Sequence, residues 1–109
     1  MLDVLIVEDN TTFRKSLNEM LTDRFTEMRV WEASGASEAL EILESEKPDI
    51  IFMDVRLPGE SGLELTRKIK SAHDNISIIM LTNYDLEEYR EAAERYGADH
   101  FMPKGTSSR

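Results

Sequence analysis

Five short apolar runs alternate with segments of helical spacing, and that alternation restricts the fold more than any other feature of the chain. The runs are Val4 to Val7, Met28 to Trp31, Ile50 to Met53, Ile76 to Leu81 and His100 to Met102. After the first run, Phe13, Leu17, Met20 and Leu21 fall at i, i+4, i+7 and i+8. After the second, Ala36, Ala39, Leu40 and Leu43 fall at i, i+3, i+4 and i+7, so both segments predict helices with an apolar face. Leu65 with Ile69, and Tyr89, Ala92, Ala93 and Tyr96, continue the pattern more weakly. Strands alternating with helices predict parallel strands joined by right-handed crossovers, an α/β doubly wound sheet with helices on both faces. The runs LIV and IIFM lack polar alternation, as central strands buried on both sides do. Breakers punctuate the elements: Gly97 after the fourth helix, Lys47-Pro48-Asp49 before the third strand, Pro58-Gly59 after it.

With 109 residues the chain is long enough for one hydrophobic core and too short for two. Its 40% hydrophobic and 32% charged content is that of a globular chain. It has no cysteine, which excludes disulfides and thiolate metal sites and favours a reducing compartment. No apolar stretch approaches the roughly 18 residues of a membrane span. The start LDVLIV has neither a basic flank nor a cleavage-like end, so a cytoplasmic location is expected. A net charge of -9 argues against nucleic acid or an anionic membrane as a ligand. It suits metal cations and basic partner patches, and it also serves solubility.

Ligands of an open parallel sheet bind beyond the carboxyl ends of its strands. Those positions hold Glu8 and Asp9 after the first run, Asp54 after the third, Thr82 after the fourth and Lys104 after the fifth. If the first and third strands are neighbours, three carboxylates meet at one edge beside a hydroxyl and an ammonium. Such carboxylates repel one another unless a cation intervenes. Mg2+ fits, because it takes one or two carboxylates together with waters and a phosphate. The cluster therefore predicts a metal and a phosphate together, with one carboxylate as nucleophile towards phosphorus and Lys104 and Thr82 holding the phosphoryl oxygens. Taken singly, each residue has a plainer explanation. Glu8 and Asp9 suit helix capping, Asp54 an Asx turn, Thr82 a cap for the fourth helix and Lys104 a solvated surface position. Their joint placement at four strand ends favours the chemical reading.

The stretches LIVEDN, IIFMDVRLPGESG, MLTNYD and GADHFMPKG agree in order and spacing with one family. The chain resembles, over nearly its whole length, the receiver domain of bacterial two-component response regulators. The resemblance implies a five-stranded, flavodoxin-like sheet of order 2-1-3-4-5. It implies Asp54 as the phosphoryl acceptor, with Asp9, Asp54 and the backbone carbonyl of Arg56 as Mg2+ ligands and Glu8 contributing through a bound water. Lys104 would contact the phosphoryl group and Thr82 would hydrogen-bond it. Phe101 would be the switch aromatic that turns inward when Thr82 moves. A sensor histidine kinase would be the donor, the acyl phosphate would hydrolyse slowly, and the output surface would lie near the fourth helix and fifth strand.

The chain also departs from the family pattern. Proline usually follows the lysine, whereas here Pro103 precedes Lys104 and Gly105 follows it. Asn83 stands where a small residue is usual, and Arg56 and Tyr84 occupy positions that flank the attacking water. These three residues are therefore expected to tune hydrolysis. The family fold has a fifth helix, and Thr106, Ser107 and Ser108 resemble the approach to it. Residues 1–109 are thus expected to form a receiver domain lacking most or all of that helix. Apolar sheet surface left exposed would favour self-association or a domain-swapped dimer. A C-terminal effector domain outside these residues is a further expectation, with no nucleic-acid or membrane contact by this domain. Two other readings compete: an aspartyl-nucleophile phosphatase and a degenerate receiver that only binds partners. The phosphatase class wants Asp-x-Asp after the first strand, and the sequence there is Val7-Glu8-Asp9-Asn10. His73 and His100 read as loop and strand-end residues.

Overall fold

A computed structural model of the chain describes residues 1–104. The strands are β1 (Leu2–Val7), β2 (Met28–Ala33), β3 (Ile50–Asp54), β4 (Ser77–Thr82) and β5 (His100–Pro103). The helices are α1 (Thr11–Arg24), α2 (Ala36–Ser45), α3 (Gly62–Ala72) and α4 (Glu87–Arg95). All strand pairs are parallel, in the order β2-β1-β3-β4-β5. This is the flavodoxin-like order expected, and it makes β1 and β3 neighbours. The expectation placed on Thr106 to Ser108 lies outside the described residues.

Local chemistry sets the helix starts. Asn10 caps α1, its side chain accepting from the Phe13 N–H at 3.0 Å. Ser61 caps α3, accepting from Leu63 N–H at 3.0 Å and Glu64 N–H at 3.4 Å. Before α3 the chain reverses at Pro58-Gly59, where Gly59 has φ +82°, a left-handed conformation that glycine adopts without strain.

The sheet has unequal faces. On one, Leu5, Val7, Ile51, Met53, Ile78 and Met80 pack against Ala39 and Leu43 of α2, Leu65 and Ile69 of α3 and Ala93 of α4. On the other, Val4 and Ile6 pack against Leu21 and Leu17 of α1, with Ile50 and Phe52 only partly covered. Each fully buried aliphatic side chain contributes about 1.5–3 kcal/mol, so the first face carries most of the burial energy. β1 is buried on both sides from Val4 to Val7, as its unbroken apolar run predicts. β3 departs from that expectation: Ile51 and Met53 are fully buried but Ile50 and Phe52 are not, because α1 lies mainly over β2 and β1.

Two residues assigned to apolar helix faces are exposed, Met20 at 48% and Leu40 at 39%. Only part of each apolar arc meets the sheet: α1 buries Leu21 and leaves Met20 on the rim. α2 buries Ala39 and Leu43 while Leu40 lines a shallow groove with Ile69 of α3. Among the described residues no helix is long and apolar enough to cross a membrane.

Candidate functional site

The sequence-predicted residues converge at the carboxyl end of the sheet. β1 delivers Glu8 and Asp9, β3 ends on Asp54, β4 ends on Thr82, and Lys104 follows β5. They line one pocket of about 270 Å³ together with Asn10, Arg56, Asn83 and Tyr84. Parallel register enforces this, since Asp54 lies beside Leu81 and Thr82 beside Pro103. The Lys104 N–H donates to the Thr82 carbonyl at 2.7 Å, extending the ladder one residue past β5. Lys104 thus reaches the site with Pro103 before it and Gly105 after it.

Carboxylate oxygens of Glu8, Asp9 and Asp54 lie within 4.8 Å of one another. Glu8 and Asp54 are buried and Asp9 is exposed. The Lys104 ammonium donates to Glu8 Oε1 at 2.6 Å and stands 3.3 Å from Asp54 Oδ2. Glu8 Oε2 accepts from the Asn10 N–H at 2.9 Å. One buried ammonium does not neutralise this cluster. Burial, then repulsion by Glu8, pushes the Asp54 carboxyl up to about 6 from its ordinary 3.8, while Lys104 pulls the other way. The donor set is all oxygen and anionic, which fits a hard divalent cation.

The plainer explanations fare differently. The cap of α1 is Asn10 and not the acid pair, and Leu86 is at the α4 cap position, so Thr82 caps nothing. The Thr82 hydroxyl instead accepts from Tyr84 N–H at 2.9 Å and donates to the Tyr84 carbonyl at 3.1 Å. Asp54 does form the local turn, Oδ1 accepting from the Arg56 N–H at 3.3 Å, and lies in the site as well. Lys104 is far from solvated, its side chain only 6% exposed. Arg56 stacks on the Tyr84 ring, 4.8 Å from guanidinium carbon to centroid, across one wall of the pocket. Phe101 is half-buried on β5, beside Met80 of β4, with Arg90 of α4 over its ring at 4.8 Å.

Sequence reading passed over four residues. Asn10 caps α1 and lines the pocket, and an Asn before a helical run is the signal that could have found it. Arg14 donates to the Glu8 carbonyl at 2.8 Å and to Glu32 Oε1 at 2.7 Å, tying α1 to both β1 and β2. Burial works against the Glu32 charge, but Arg14, Asn18 and Lys15 together hold its carboxyl below the usual range. Phe13 presents its ring to the Lys104 ammonium. Gly62, the first residue of α3, lies so close to β3 that a Cβ would collide with the Asp54 carbonyl oxygen. No local pattern marks the last three.

The fold and the pocket together define a known class. Residues 4–109 match the response regulator receiver domain family, and the chain belongs to it. It is 33% identical over 105 residues to the response regulator GacA of Pseudomonas viridiflava, covering 96% of this chain and 49% of that protein. It is 37% identical over 101 residues to the response regulator MprA of Mycobacterium ulcerans, covering 93% of this chain and 43% of the relative. The chain therefore spans about half the length of these relatives or less. Solved structures agree. The response regulator TrrA of Thermotoga maritima, in complex with Mg(2+)-BeF, superposes with a TM-score of 0.86 at 30% identity, over 98% of this chain and 90% of that one. A response regulator of Burkholderia pseudomallei with a phosphorylated aspartic acid, calcium ion and citrate gives a TM-score of 0.89 at 28% identity, over 98% of this chain and 62% of that one.

Proposed function

We propose that the chain takes a phosphoryl group onto Asp54 from the phosphohistidine of a sensor histidine kinase and relays the signal by changing conformation. The observation that carries this reading is the Asp54 carboxyl, inside a pocket with two further acids, one ammonium and one hydroxyl, and raised to about 6. At neutral pH most of it is ionised and able to act as nucleophile. An Asp54 carboxylate oxygen attacks phosphorus, the P–N bond breaks, and its electron pair leaves with the imidazole nitrogen. Lys104 exchanges Glu8 and Asp54 for the phosphoryl oxygens, and the Thr82 hydroxyl leaves its turn with Tyr84 to donate to the same group. Asp9, Asp54 and the Arg56 carbonyl, with Glu8 through a water, are the groups that would hold Mg2+. An ion held by these groups would supply positive charge against the phosphoryl oxygens.

Contacts to Thr82 and Lys104 made only in the phosphorylated state bias two conformations, and Phe101 turns inward as Thr82 withdraws. Shifting a population from 1:99 to 99:1 requires about 5.5 kcal/mol, within reach of two charge-assisted hydrogen bonds and one repacked aromatic. The Arg56–Tyr84 stack and Asn83 narrow the approach of water and slow hydrolysis of the acyl phosphate. In this reading the chain catalyses its own phosphorylation and dephosphorylation and does not turn over external substrates. It acts in the cytoplasm, as one receiver domain beside a C-terminal effector in the whole protein. The exposed Met20, Phe25 and Met102 support self-association, including a swapped dimer, which light scattering against concentration measures.

Incubation with acetyl phosphate and Mg2+ tests the reading. One acid-stable, base-labile phosphate per chain is expected, absent in Asp54→Asn and after chelation, and decaying several-fold faster in Tyr84→Ala. Release of many phosphates per chain would favour the phosphatase, and no adduct at all the partner-binding receiver.

A further inference from the structure

We propose that Phe13 is a positioning residue for Lys104, its aromatic face holding the ammonium in place while the ammonium changes acceptors; this rests on the reading of Asp54 as the phosphoryl acceptor. A lysine ammonium has three hydrogens and no acceptor. Glu8 Oε1 takes one at 2.6 Å, Asp54 Oδ2 stands at 3.3 Å, and the Phe13 ring centroid lies 4.8 Å from Nζ. The Lys104 side chain is almost wholly buried, so little water is available to complete its shell. An aromatic face attracts a cation through its quadrupole, most strongly where solvent is excluded, and an aliphatic side chain of similar size does not.

The ring is itself held. The Phe13 N–H is bound by the Asn10 cap at 3.0 Å, and the next residue, Arg14, grips the Glu8 carbonyl at 2.8 Å. The first turn of α1 is therefore pinned to the loop that carries Glu8 and Asp9, which fixes the backbone from which the Phe13 ring projects. Transfer of a phosphoryl group to Asp54 requires the ammonium to leave carboxylate oxygens for phosphoryl oxygens. A π face places no directional demand on individual hydrogens, so the ammonium can pivot against it and remain in the pocket.

The test uses Phe13→Leu and Phe13→Tyr in the whole chain, with acetyl phosphate as donor and Mg2+ present. Phe13→Leu is expected to lower the maximal phosphorylation rate constant roughly fivefold, and Phe13→Tyr to keep the parent rate. Mg2+ affinity by titration calorimetry stays within about twofold of the parent in both, because the ring offers no ligand to a hard cation. Upfield ring-current shifts of the Lys104 Cε protons, read by NMR without any phosphoryl donor, are present in the parent and Phe13→Tyr and lost in Phe13→Leu. A parent-like rate in Phe13→Leu, an equal fall in both variants, a loss of Mg2+ affinity matching the loss of rate, or no ring-current shift in the parent overturns the proposal. Should Phe13→Leu fail to fold, Phe13→Met replaces it. A parent chain that takes no phosphate defeats the reading of Asp54 and this inference together, whereas a phosphorylated parent with an unaffected Phe13→Leu defeats this inference alone.

Discussion

The two ends of the sheet each pair a lysine with an aspartate, and they do opposite things with it. At the amino end, Lys70 of α3 donates to the Ile76 carbonyl at 2.8 Å and to Asp99 Oδ2 at 3.1 Å, while the same Asp99 oxygen accepts from Ile78 N–H at 2.8 Å. Burial works to raise the Asp99 pKa, but the Ile78 N–H and Lys70 outweigh it and hold the carboxyl below its usual range. At the carboxyl end, Lys104 is shared between two carboxylates, and Asp54 is pushed upward by burial and by Glu8. The first arrangement satisfies its charges and anchors β4 to β5. The second leaves excess negative charge that an incoming cation would offset. Charge is satisfied at one end and left in excess at the other.

Helix α3 runs between the two ends, so a change at its start tests whether they are mechanically separate. Gly62→Ala forces a methyl group onto the Asp54 carbonyl and is expected to cost about 3 kcal/mol or more, measured by urea denaturation. Its failure to destabilise would mean that the close approach of α3 to β3 is not required. A smaller effect comes from neutralising each aspartate. Asp54→Asn removes a disfavoured charge and is expected to stabilise the protein by about 1–2 kcal/mol in the absence of Mg2+. Asp99→Asn removes a favoured one, which is partly exposed, and is expected to destabilise by about 1 kcal/mol. Equal signs in the two variants would erase the contrast between the ends.

The smallest and sharpest difference is in pH dependence. The Asp54 pKa is raised in the folded state, so the fold binds the extra proton between pH 3.8 and about 6, and stability declines as pH rises through that window. The Asp99 pKa is lowered, so its contribution is present above pH 3.8 and is lost as pH falls below it. Urea midpoints measured from pH 3 to pH 7 should therefore show a falling component that disappears in Asp54→Asn and a rising component that disappears in Asp99→Asn.

The elements most legible in the sequence were those whose pattern is local. The apolar runs located every strand to within two residues at each end, and the polar residues after them were the acids, hydroxyl and ammonium of the pocket. Residues that act through distant contacts were not legible in the same way. Phe13 reads as one position of a helical stripe, yet its ring lies against a lysine from the other end of the chain. Met20 belongs to the same stripe by spacing and is nonetheless exposed. Spacing reports the direction of a side chain around its own helix axis, and what stands in that direction depends on where the helix is docked. Gly62 is the clearest case, since a glycine within GESG carries no signal that a strand carbonyl will occupy the space of its missing Cβ.

By itself the sequence determined the alternation of strands and helices, the parallel sheet that follows from it, and the chemical types gathered at the strand ends, because backbone periodicity and side-chain chemistry are properties of residues and their near neighbours. Tertiary structure alone decided the unequal cover of the two sheet faces, the grip of Arg14 and Phe13 on the site, and the sign of each aspartate's pKa shift. Those depend on which groups from remote segments share a dry volume, and only the packed chain sets that.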